Sequence, residues 1–155
     1  MNKAILAIET TGSYCSVALL DGENASFHQS VRKRSHADEL LGIIHELLNK
    51  ASKTIHECGT IAVNVGPGSF TGIRIGIAVA QGLAFGAGIS TCAISGFQAM
   101  VEDARQRSAN ALDNQEITES PGREDAIWAA LLHAREDEFY FAEYRIDARG
   151  YPVLQ

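Results

Sequence analysis

The residues best placed to do chemistry lie in a glycine-rich turn, Gly66-Pro67-Gly68-Ser69, between an apolar run (residues 61–65) and a long small-residue segment opening at Phe70. A strand that turns through glycines into a helix aims unpaired N–H groups and the positive helix end at the turn, which suits a phosphate. The spacing Gly66-x-Gly68-x-x-x-Gly72 nevertheless puts Thr71 where a dinucleotide fingerprint needs its third glycine, and no lysine follows Gly72 as a P-loop requires. The other reading is structural: Gly66, Gly68 and Gly72 give a permissive backbone, Pro67 stiffens it and Ser69 caps the helix. Metal chemistry finds no pattern. His36 and His45 are nine residues apart and fall on opposite faces of one helix, while His28, His56 and His133 are isolated. Cys15, Cys58 and Cys92 are odd in number and lack a C-x-x-C pair, which favours free thiols in a reducing compartment.

The elements that position this turn have packing surface to spare. On a helical wheel Gly72, Gly76, Ala80 and Ala84 form a ridge of small residues, and Phe70, Arg74, Ile77, Gln81 and Phe85 share another face. One face suits a sheet; the ridge invites a second helix or chain. A preceding helix is expected from Ser35, with Ser35 and Asp38 as a capping box. Its Leu40, Leu41, Ile43, Ile44, Leu47 and Leu48 cover an arc wider than the roughly 100° stripe that one sheet needs. Before it, residues 4–8, 15–20 and 25–31 read as a three-stranded meander, with Asp21-Gly22 as a hairpin turn. The continuous apolar run 4–8 predicts a strand covered on both faces.

With 155 residues and 46% hydrophobic composition the chain has enough material for a sizeable core. A net charge of −6 argues against holding nucleic acid through the overall field, and the one basic run, Arg32-Lys33-Arg34, has no interleaved aromatics. The apolar start reaches only Ile8 before Glu9, too short for a signal peptide, so a cytoplasmic address is expected. Residues 75–94 carry no charge, but their glycines and Gln81 point to a helix and strand rather than a membrane span.

The organisation expected is a first lobe over 1–108, a mobile linker over 109–125, and over 126–155 the opening hairpin of an incomplete second lobe. Residues 126–132 and 139–144 repeat the opening strand, turn, strand unit, and missing helices would leave their apolar faces exposed.

The order β-β-β-α-β-α-β suggests an α/β fold: a lobe of the ribonuclease-H-like and actin-like ATPase (ASKHA) class, a three-stranded antiparallel meander extended by parallel strands and flanked by helices. In such ATPases the first turn carries an Asp-x-Gly-Thr phosphate loop. Here it reads Glu9-Thr10-Thr11-Gly12, leaving Thr10, Thr11 and Gly12 as a weak nucleotide contact. More specifically, Ala7-Ile8-Glu9-Thr10, Ser16-Val17-Ala18-Leu19, Arg34-Ser35-His36 and the run from Val65 to Gly76 resemble the bacterial TsaB (YeaZ) family. That resemblance implies a non-catalytic subunit in making the threonylcarbamoyl modification of the tRNA adenosine beside the anticodon. It would pair with a TsaD-type catalytic subunit, with a TsaE-type ATPase joining them, would touch tRNA only indirectly, would self-associate as a homodimer when alone, and would need no cofactor or metal of its own. The resemblance places the pairing surface on the two helices after the meander: Leu40, Ile44 and Leu47 on the first, and Phe70, Ile73, Arg74, Gly76, Ile77, Ala80, Gln81 and Phe85 on the second. The alternative is an ATP- or metal-dependent enzyme of the same fold, a phosphotransferase or a peptidase.

Overall fold

Alternation of apolar and small or polar residues builds the first sheet. In a computed structural model, which describes residues 3–30, 36–112 and 126–155, β1 (Ala4–Glu9), β2 (Ser16–Asp21) and β3 (Asn24–Gln29) form the expected antiparallel meander. β4 (Cys58–Asn64) and β5 (Ser90–Ile94) extend it in parallel, giving the order β3-β2-β1-β4-β5. Helices α1 (His36–Lys50) and α2 (Phe70–Ala87) are the crossovers that parallel pairing demands. Leu6, Ile8, Val17, Leu19, Ile61 and Val63 share one face of the sheet by the period of two. They are buried with Leu40, Ile44 and Leu47 of α1 and Ala80 and Ala84 of α2. The mixed sheet with its flanking helices is the α/β lobe expected.

The opposite face corrects an expectation. Ile5, Leu20 and Phe27 point away from the helices and remain exposed, so β1 is covered on one face only. Ala7 and Ala18 lie beside them on that face, and their small side chains hide the alternation from a sequence reading.

The compact units divide between Ile94 and Ser95, not near residue 108. α3 (Gly96–Leu112) belongs to the second unit because its Phe97 and Val101 are buried with Ala130 of β6 (Trp128–Arg135) and Tyr144 of β7 (Glu138–Ile146). Gln98 Nε2 also donates to the carbonyl of Pro152, at the start of β8 (Pro152–Leu154), over 3.2 Å. β8 was not anticipated: it is three residues long and begins with proline, too short to carry a period. The three strands pair antiparallel in the order β6-β7-β8, a second meander. Its other face leaves Leu131, Phe139 and Phe141 exposed. The Ser35 cap, the basic run 32–34 and most of the proposed linker lie outside the described residues; of that linker, the backbone of 109–112 continues α3.

Candidate functional site

Two turns meet where β1 and β4 end. The Gly66–Pro67 peptide is cis, and Gly66 and Gly68 take φ of 110° and 152°, which β-carbon residues avoid. A β-carbon on Gly68 would stand 2.5 Å from the carbonyl oxygen of Thr11, so the glycine lets one turn lie directly on the other. Ser69 N–H donates to that same oxygen over 2.7 Å, and Ser69 Oγ accepts the Gly72 N–H over 3.2 Å as the expected helix cap.

Several polar groups of the two turns are hydrogen-bonded within the chain. The fully buried Thr10 donates its hydroxyl to the Gly72 carbonyl over 2.7 Å. His36 Nε2 lies 3.0 Å from the Gly12 carbonyl, which can only accept, so this nitrogen carries the proton and ties α1 to the first turn. Thr11 N–H donates to Glu9 Oε1, and Asn64 Nδ2 donates to Glu9 Oε2. Asn64 Oδ1 in turn accepts the Gly66 N–H over 2.9 Å. Thr10, Thr11 and Gly12, named as a weak nucleotide contact, are therefore brought together with Gly66, Pro67, Gly68, Ser69 and Gly72, with Thr10 bonded to Gly72 and Thr11 to Ser69. Asn64 was missed; a polar residue closing an otherwise apolar strand was its only signal.

The second candidate is the helix pair. α1 and α2 touch each other and lie on the same sheet face. The ridge Gly72, Gly76, Ala80 and Ala84 is buried inside the unit. A β-carbon on Gly72 would sit 2.0 Å from the Thr10 carbonyl oxygen, and one on Gly76 would sit 2.3 Å from Thr10 Oγ1. The ridge thus admits the β1–β2 turn and not a second chain. Gly76 and Ala80 leave the set of surface candidates, as do Leu40, Ile44 and Leu47, which are buried against the sheet.

What remains outward is a different stripe. Phe85 is 92% exposed and Phe70 68%, Arg74 and Gln81 are exposed, and Ile73 and Ile77 are half-buried. The Arg74 guanidinium carbon stands 3.7 Å from the Phe70 ring centroid, which stiffens both side chains. On α1, Leu41 is 54% exposed; it was the unneeded part of the wide apolar arc and was not singled out. Gly42, Ala78, Gly82 and Gly86 are also exposed, so both helices offer low relief around a few large apolar side chains.

This lobe, with its antiparallel meander and parallel extension, has the α/β fold of the ribonuclease-H-like and actin-like ATPase class. Residues 27–149 match the family model described as TsaD: tRNA N6-adenosine threonylcarbamoyltransferase, and the chain belongs to that family; within it the chain is similar to the TsaB (YeaZ) proteins. It is 33% identical over 94% of its length to the tRNA threonylcarbamoyladenosine biosynthesis protein TsaB of Escherichia coli, covering 57% of that protein. With TsaB of Haemophilus influenzae it shares 38% identity over 92% of its length, covering 54% of that chain. It spans little more than half the length of these curated relatives. Among solved structures, YeaZ from Pseudomonas aeruginosa superposes with a TM-score of 0.78 at 34% identity, covering all of this chain and 65% of that one.

Proposed function

We propose that this chain serves tRNA threonylcarbamoyladenosine biosynthesis as a non-catalytic subunit, pairing through α1 and α2 with a TsaD-type catalytic partner. The observation that carries this reading is the outward stripe of the helix pair, on which Phe70, Phe85 and Leu41 stand exposed at positions that the unit's own sheet does not use. The first turn supports it, because the Thr10 hydroxyl, the Thr11 N–H and the Asn64 amide are engaged by Gly72 and Glu9 of the same chain. On this reading the chain contributes no cofactor or metal and works in the cytoplasm. It meets tRNA only through its partner, with a TsaE-type ATPase completing the assembly, and without a partner the same stripe makes a homodimer.

Co-purification with a TsaD-type protein, followed by tRNA modification with and without the chain, tests the proposal. A stable pair and modification that depends on the chain are expected. Stoichiometric uptake of ATP or metal by the isolated chain, with turnover of its own, would instead establish the enzyme reading.

A further inference from the structure

Arg74 is the one ionisable residue among the 18 of α2, and it stands exposed in the middle of the outward apolar stripe. Its guanidinium carbon lies 3.7 Å from the Phe70 ring centroid, one helical turn earlier, and Ile73 and Ile77 are half-buried beside it. Among the described residues no carboxylate pairs with it; the ion pairs join other groups. Stacking occupies one face of the guanidinium and leaves the N–H fork at its edge free to donate. The ring also restricts the long side chain before anything binds, so less freedom is lost on binding. A cation set among apolar groups is costly to cover unless the covering surface supplies an anion, and a carboxylate fits the fork with two parallel hydrogen bonds.

A second copy of the stripe answers this need poorly. The facing α2 would bring no Asp or Glu, only another Arg74. The carboxylates of α1 have local work: Asp38 and Glu39 lie in its first turn, where they complement the positive end of their own helix, and Glu46 Oε2 lies 3.9 Å from His28 Nδ1. We propose that Arg74, held over Phe70, is the specificity-determining residue of the stripe, selecting a partner that sets a carboxylate among apolar residues and disfavouring the chain's own copy. The inference rests on the pairing reading above and adds to it the chemistry of the partner's face. Phe70, Phe85 and Leu41 give affinity to either occupant, and Arg74 discriminates between them.

Titration calorimetry of the full chain against a TsaD-type protein, at low and high salt, reads the mixed pair; sedimentation of the chain alone reads self-association. Arg74→Gln is expected to weaken the mixed pair at least about ten-fold and to leave self-association unchanged or tighter. Affinity of the wild type is expected to fall with salt and that of Arg74→Gln to fall much less. Arg74→Lys keeps the charge without the fork, and is expected to stay at least about three-fold weaker than the wild type. The inference is overturned if Arg74→Gln or Arg74→Lys pairs as tightly as the wild type, or if Arg74→Gln weakens both associations equally. A mixed pair that Phe85→Asp breaks and Arg74→Gln spares removes this inference and leaves the pairing reading standing, whereas no mixed pair from the wild type removes both.

Discussion

Thr10 is the residue on which the two turns and α2 converge, and its neighbours are glycines because nothing larger fits. Gly76→Leu drives a side chain into Thr10 Oγ1 and is expected to destabilise the fold by at least about 3 kcal/mol in chemical denaturation, with or without a partner. Leu40→Ala, fully inside the core, is expected to cost about 2–5 kcal/mol in the same measurement. A different residue governs the second meander. The Asp147 carboxylate accepts the N–H groups of Tyr151 and Arg149 over 2.9 Å each, and the Arg149 side chain lies against it. The Tyr151 N–H first, and then Arg149, hold this carboxyl below the usual carboxylate range. A depressed folded value means that the turn's stabilisation is present above the unfolded pKa, about 4, and is lost as pH falls through the folded value. Exchange of the Tyr151 amide is therefore expected to accelerate, beyond the intrinsic pH effect, between pH 5 and the acid limit, and Asp147→Asn is expected to flatten that dependence.

At the scale of the element, α2 separates two tasks by face. Its small ridge holds the fold and its large residues stand outward, so substitutions on the two faces have opposite signatures. Phe85→Asp and Leu41→Asp are expected to leave the unfolding free energy within about 0.5 kcal/mol of the parent. They are expected to weaken pairing with a TsaD-type chain by roughly 2 kcal/mol, about thirty-fold, as read by titration calorimetry. Unchanged affinity in both variants would remove the helix pair as the interface. The caps belong to the same scale. Ser69 starts α2, and Gly88 ends it at φ 67° with its N–H on the carbonyls of Ala84 and Phe85, which sends the chain directly into β5.

At the scale of the whole molecule, each unit has one covered and one open sheet face. Ile5, Leu20 and Phe27 lie open on the first sheet, and Leu131, Phe139 and Phe141 on the second. Apolar groups in this number outside a core favour association. The sedimentation coefficient of the isolated chain is expected to rise with concentration, and Phe139→Ser/Phe141→Ser to reduce that rise. A concentration-independent monomer in both would count against it.

Sequence alone determined most of the elements and the Ser69 cap of α2. Strand alternation, the Gly-Pro-Gly-Ser turn and the helical period depend on residues close in the chain, so β1 to β5, α1 and α2 were legible nearly to their ends. What only the tertiary structure decided was which face of each element is used, and which unit each helix joins. A period shows that Gly72, Gly76, Ala80 and Ala84 align, but not that Thr10, sixty-two residues from Gly72, is what fills the gap beside them. In the same way nothing local assigns α3 to the second sheet or joins Glu9 to Asn64. Those choices rest on contacts between distant residues, fixed only when the sheet brings the strand ends side by side.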